Sequence, residues 1–161
     1  MLRFIDQRTQ MNAFDEFIHV ARLLKEANIP YAVVGGVALA FHGHPRFTQD
    51  IDLIVMGENI PNLTKTLGFI GYKSFTTSWK LAGSDFTLHR FLKHSSENEM
   101  ILDILEGSTG RISDIIGRSL TAVGDQGDIR VACKEDLIQL KRLRNSLQDQ
   151  ADIEKLSNEK S

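Results

Sequence analysis

Asp50 and Asp52 stand one residue apart and lead straight into Leu53, Ile54 and Val55. Residues Asp50–Val55 read as a strand. Side chains alternate along a strand, so the two carboxylates share one face while Ile51 takes the other. Two neighbouring carboxylates repel, and each resists leaving water. A divalent cation resolves that repulsion. Magnesium takes oxygen ligands and is usually held by one or two carboxylates together with substrate phosphates. The plainer alternative is that Asp50 caps a turn and Asp52 is solvated. Upstream, Gly35-Gly36 falls where a strand meets a helix. Backbone N–H groups at a helix start attract phosphate, and glycine lets it come close. An ordinary tight turn would also need such residues, and neither G-x-x-x-x-G-K-[ST] nor G-x-G-x-x-G is present. Downstream, Asp103 lies in "MILDIL" on one face with Ile101 and Leu105. A lone carboxylate among apolar residues needs a partner. Asp103 is either a third ligand or base beside the first two, or half of a salt bridge to an arginine.

These residues need elements to hold them. Phe14, Phe17, Ile18, Ala21 and Leu24 recur at helical spacing, which predicts an amphipathic helix over Asn12–Ala27, with Pro30 beyond its end. Tyr31–Val34 reads as a buried strand broken by the glycine pair, and Val37–His42 as a helix ending at Gly43. Ile60–Leu67 is a short helix with Pro61 in its first turn. Residues Phe69–Asp85 show no period. Phe86–Leu92 and Met100–Leu105 read as a hairpin around the polar Lys93–Glu99. Then follow a helix over Ile112–Arg118, a strand over Ile129–Ala132, and helices over Glu135–Arg144 and Asp149–Leu156. The expected architecture is α/β (α+β): a mixed sheet flanked by helices, in a single domain over residues 1–161. Its core is expected over about 12–156, with a polar tail at 157–161.

The chain has 161 residues, 42% hydrophobic and 25% charged, with a net charge of -2. That suits one globular domain and lacks the overall basic footprint of a nucleic-acid binder. Cys133 is the one cysteine, so neither an internal disulfide nor a Cys-rich zinc site is expected. With no signal peptide, a cytoplasmic location is expected. The longest apolar run, Tyr31–Phe41, is too short for a membrane span.

Gly35-Gly36, the spacer, Asp50-Ile51-Asp52 and the later Asp103 together resemble the pattern of the nucleotidyltransferase superfamily related to DNA polymerase beta. "GGVALAFHGHPRFTQDIDL", with His42, Gly43, Arg46 and Thr48, is similar to the small bacterial branch that includes AbiEii-type toxins and lincosamide nucleotidyltransferases. "DLIQLKRLRNSLQDQADIEKL", with Lys141, Asp149 and Asp152, resembles that branch's closing helices. The likeness covers about Tyr31–Leu156. In one departure, Ser146-Leu147-Gln148-Asp149 stands where the branch often carries Arg-Pro-Lys-Asp, which leaves the three carboxylates intact.

The resemblance implies a polymerase-beta-like fold and the transfer of a nucleoside monophosphate from a nucleoside triphosphate to an acceptor hydroxyl. The acceptor would be a small molecule, a protein side chain or a transfer-RNA end. Asp50, Asp52 and Asp103 would be catalytic and would hold Mg2+ or Mn2+. Gly35, Gly36, Arg46 and Lys141 would contact the nucleotide. A toxin of a toxin–antitoxin pair, with an antitoxin partner, falls within the same branch. The alternative function is a non-catalytic nucleotide-binding or regulatory module on the same fold.

Several residues keep plain readings. Arg46 suits a surface site as well as a phosphate, and Lys141 suits the last turns of its helix. Asp149 suits a helix cap. His42 and His44 have poor metal spacing and suit hydrogen bonding. Tyr72 and Trp79 suit a core or edge better than a base stack. Lys141, Arg142 and Arg144 form a basic run that is either an RNA contact or a solvated face.

Overall fold

The structure, a computed structural model, describes residues 12–95 and 97–158. The expected domain's first 11 residues and the end of its polar tail, 159–161, lie outside the described residues.

Helix α1 spans Ala13–Glu26 and is capped by Asn12, whose side chain accepts from the Phe14 N–H at 2.8 Å. Of the residues whose spacing predicted it, Phe17, Ala21 and Leu24 are buried, joined by Val20, while Phe14 is exposed. Strand β1 is Tyr31–Val34, and helix α2 follows at once over Gly35–Phe41. Strand β2 is Asp50–Val55, and helix α3 is Ile60–Gly68. The stretch without a period holds two two-residue strands, β3 (Lys73–Ser74) and β4 (Trp79–Lys80). The hairpin is β5 (Thr87–His94) and β6 (Glu99–Glu106), longer toward its turn than expected. Helix α4 is Thr109–Arg118. Strand β7, Leu120–Ala122, was not expected, and it pairs with β8, Ile129–Val131. Helices α5 (Lys134–Arg144) and α6 (Leu147–Ser157) close the described chain.

The strands form one eight-stranded mixed sheet in the order β3-β5-β6-β2-β1-β8-β7, with β4 also paired to β5. Strand β2 runs antiparallel to β1 and parallel to β6, and β5 and β6 are antiparallel. Strand β1 meets β8 in parallel at Val33–Val131. Along β2 every apolar residue is fully buried, and only Asp50 and Asp52 keep exposed surface. Ile51 and Leu53 join Leu102 and Ile104 of β6, Phe17 and Leu24 of α1, and Leu63 and Leu67 of α3 in the core. That packing locks the register of β2, because a one-residue slip would put both aspartates into the core. No helix among the described residues is long and apolar enough to cross a membrane.

Three helix starts differ from expectation. Helix α4 begins at Thr109, three residues before the expected Ile112. Helix α2 begins at Gly35, so the glycine pair forms its first turn rather than a break before it. Helix α6 begins at Leu147, because Ser146 caps it and Asp149 closes a capping box three residues in.

Candidate active site

Register sets the site. Asp52 lies opposite Asp103 across β2 and β6, and Asp103 lies opposite Arg90 across β6 and β5. Directly paired residues point to the same side of a sheet. One face therefore carries a row of Asp52, Asp103 and Arg90, with Asp50 one step along beside Ile101. Asp103 is only 4% exposed. Arg90 grips it with two charge-assisted hydrogen bonds, Nε to Oδ1 and Nη2 to Oδ2, each 2.7 Å. Asp103 thus forms the salt bridge to an arginine, and it stands opposite Asp52. The Arg90 guanidinium carbon also lies 5.6 Å from the Trp79 ring centroid.

Asp50 and Asp52 are placed differently. They are half-buried, and no side chain among the described residues hydrogen-bonds to them. Burial first, and the charge of Asp103 second, push the Asp52 carboxyl up to about 7, with Asp50 adding to the rise and Arg144 and Lys141 opposing it. Asp52 keeps some open surface, yet it is crowded closely enough for burial to lead. The same two causes raise Asp50. Two carboxylates held together without donors fit a divalent cation, which would neutralise both. Among the described residues, no three His, Cys, Asp or Glu side chains are grouped as metal ligands. The observation that fits a cation is therefore the pair.

Gly35 has φ +65°, and a Cβ there would overlap the Asp52 Oδ2 and come within 2.8 Å of its Cγ. Only glycine lets the Asp52 carboxylate rest against the first turn of α2. A Cβ at Gly36 would crowd the Thr48 Oγ1 at 3.0 Å and the Arg46 guanidinium carbon at 3.3 Å. The pair therefore fits the 46–52 segment tightly onto α2.

Arg46 and Lys141 both meet Asp152, which is fully buried. Arg46 donates from Nε and Nη2 at 3.2 and 3.1 Å, and Lys141 donates from Nζ at 2.9 Å. Gln148 adds a bond of 2.9 Å. Burial acts to raise the Asp152 carboxyl, but Lys141, Arg46 and Gln148 outweigh it and hold it below the usual range. Next to it, Arg144 grips Asp149 at 2.8 and 2.7 Å. Burial works against Asp149 too, yet Arg144 and Ser146 bring its carboxyl down to about 2.

A cavity of about 70 Å³ lies where these groups meet Gly35 and Asp52. Lys141, Arg144 and Asp149 line its polar side, with Leu81, Phe86 and Leu105 among its apolar walls. A second cavity of about 620 Å³ is lined by Gly36, Arg46, Phe47, Thr48 and Gln49. The structure thus gathers Asp50, Asp52 and Asp103 on one face, with Gly35 and Lys141 beside them. Gly36 and Arg46 line the second cavity instead.

Sequence reasoning did not single out Arg90, and it named Arg144 only within the basic run Lys141, Arg142 and Arg144, not beside Asp52. Arg144 carried a signal, because it lies three residues after Lys141 and so shares its helix face. Arg90 became visible only once the hairpin register was known. The departure Ser146–Asp149 proves to be a helix cap. His42 is hydrogen-bonded through Nε2 to the Ala132 carbonyl at 2.9 Å. Tyr72 is buried and donates to Glu16 at 2.8 Å, as a core residue would.

Among curated proteins, none matches the sequence. Solved structures do match the fold. A structure from Thermotoga maritima described as a nucleotidyltransferase superposes with a TM-score of 0.63 at 14% identity, covering 91% of this chain and 93% of that one. The lincosamide antibiotic adenylyltransferase LnuA, bound to lincomycin, gives 0.62 at 15% identity, covering 89% and 96%. ANT(2'')-Ia in complex with adenylyl-2''-tobramycin gives 0.58 at 15% identity, covering 90% and 88%. At such identities the likeness is one of fold. A family model carries the assignment further: it spans residues 13–160, and the chain belongs to the family it describes, the nucleotidyl transferases of unknown function (DUF2204).

Proposed function

We propose that this chain transfers a nucleoside monophosphate from a nucleoside triphosphate to an acceptor hydroxyl. One observation carries the reading: Asp50 and Asp52 share a sheet face with Asp103 in register, and the pair has no hydrogen-bonding side chain of its own among the described residues. Asp50 and Asp52 would hold Mg2+ or Mn2+, and Asp103 would complete the site. When bound, the cation would neutralise phosphate charge. The acceptor oxygen forms a bond to the α-phosphorus, the bond to pyrophosphate breaks, and the hydroxyl proton passes to Asp103. The chain's own contribution is positioning and fixed charge. Lys141 and Arg144 supply cations beside Asp52, and Gly35 and Gly36 supply the close-packed turn against which a phosphate would lie. Arg46 would reach a phosphate only by leaving Asp152.

One neighbour is an antibiotic adenylyltransferase bound to lincomycin, and another holds adenylyl-2''-tobramycin. That supports ATP as the first triphosphate to test and a small-molecule hydroxyl as the first acceptor. A protein side chain or transfer-RNA end, in the cytoplasm and with an antitoxin as partner, belongs to the toxin-like form of the same proposal. Co-purification with the product of a neighbouring gene tests that form.

The two-pronged grip of Arg90 on Asp103 favours a second reading, a nucleotide-binding module without turnover. Thermal melting with Mg2+ and each triphosphate tests the first step shared by both readings. At a hundred times Kd, ligand adds about 2.7 kcal/mol, or roughly 5–10 °C for a chain of this size. Asp52→Asn should lose most of that rise, and equal rises would place the nucleotide elsewhere. Asp103→Asn separates the readings. It should keep about half of the rise, because the Asp50–Asp52 pair is intact but the freed Arg90 charge weakens the cation about tenfold, and lose transfer by about 10²–10⁴-fold if Asp103 takes the proton.

A further inference from the structure

The three carboxylates are divided two and one. Asp50 and Asp52 are left without hydrogen-bonding side chains among the described residues, while both oxygens of Asp103 are bound by Arg90 at 2.7 Å. Arg90 is fixed from a second side by Trp79, 5.6 Å away, whose strand β4 is paired to β5 at Leu88. A planar guanidinium that fits a carboxylate with two parallel bonds is strong and directional. Turning Asp103 toward a metal would break both bonds and leave a partly buried cation without its partner, which is costly. A second divalent cation beside Asp103 would also face the guanidinium charge at short range.

We infer that Arg90 is a positioning residue that supplies the fixed counter-charge of Asp103, so that a divalent cation is held by Asp50 and Asp52 without Asp103. The inference rests on the reading of Asp50 and Asp52 as the metal-holding pair. Each Asp103 oxygen accepts one Arg90 hydrogen bond, which leaves lone pairs open to a hydroxyl proton. Arg90 thereby supplies, from the protein, a positive charge that a second cation would otherwise bring.

The test is calorimetric titration with Mn2+ alone, comparing wild type, Asp103→Asn, Arg90→Gln and the double variant. Wild type should take one Mn2+ per chain. Asp103→Asn frees the Arg90 charge beside the pair and should weaken Mn2+ binding about tenfold or more, the order by which one neighbouring charge shifts an ionic equilibrium. Arg90→Gln should tighten it. The double variant restores charge balance and keeps a hydrogen-bonding amide pair, so its affinity should return to within about threefold of wild type. Recovery of that kind distinguishes a counter-charge from a ligand. If Asp103 is itself a ligand, the double variant stays as weak as Asp103→Asn, and the inference is overturned. Arg90→Gln alone leaves Asp103 buried and unpaired, so a variant that does not fold is set aside. Wild type, Asp103→Asn and the double variant decide the question without it. Mn2+ binding that survives Asp52→Asn sinks the metal reading of the pair. Binding that needs Asp52 but is not restored in the double variant sinks only the role given to Arg90.

Discussion

Two aspartates of the sheet face and one of the neighbouring helix differ by what grips them. Asp103 is hydrogen-bonded by a guanidinium and Asp152, in α6, by a lysine and an arginine, whereas Asp52 only feels Arg144 and Lys141 without a hydrogen bond from either. Asp52 therefore binds its proton up to about pH 7 when folded, against an ordinary value of 3.8. Between these values the native state holds more protons than the unfolded chain. Metal-free stability must then fall as pH rises from about 4 to about 7 and level off above that. Asp52→Asn should flatten the fall, and melting curves across this range in a chelating buffer check it. Equal slopes in both proteins would show that the carboxyl is not perturbed. The shared face of Asp50 and Asp52 was legible because it follows from the two-residue period of a strand. Arg90 was not, because its place opposite Asp103 depends on how the hairpin closes, and register is not a local property of either strand.

At the scale of elements, the β1–α2 junction decides the site's shape. Glycine is a poor helix former, which is why the pair Gly35-Gly36 reads as a break. Here the absence of Cβ matters more than propensity, since α2 starts at Gly35 with its backbone against the Asp52 carboxylate. Gly35→Ala should cost about 1–2 kcal/mol from the left-handed backbone alone. It should also displace Asp52 and abolish Mn2+ binding. Calorimetry and melting of the variant check both effects. A Gly35→Ala protein that binds Mn2+ like wild type would remove the close approach from the account. The long elements, α1, β2 and the hairpin, showed their period plainly. Strands β3, β4 and β7 are two or three residues long, too short for alternation to register, and exist only because β5 and β8 offer them an edge.

Across the whole molecule, Asp152 ties α6 to α5 through Lys141 and to the segment before β2 through Arg46, 106 residues away in sequence. Resemblance placed Arg46 and Lys141 at the nucleotide. Their shared partner was hidden, because nothing local in the sequence links residues so far apart. Asp152→Ala would remove the hydrogen-bonded partner of buried Lys141, leaving it only Asp149 at 3.9 Å, and should cost about 3–5 kcal/mol in urea unfolding. Asp85→Ala, which breaks an exposed pair with Arg111 and a bond from the Ser108 N–H, should cost clearly less. Similar losses in the two variants would mean that the α5–α6 pair is not held to the sheet in this way. The closing helices matter because they bring Lys141 and Arg144 to the cavity at Asp52, where charge on a triphosphate would fall. The central claim concerns which phosphorus is attacked. The protein should be incubated with Mg2+, acceptor-containing extract and ATP labelled at either the α- or the γ-phosphorus. The account predicts label on the acceptor from the α-position only, and none with Asp52→Asn. Label arriving from the γ-position, or α-label transfer that survives Asp52→Asn, would contradict it.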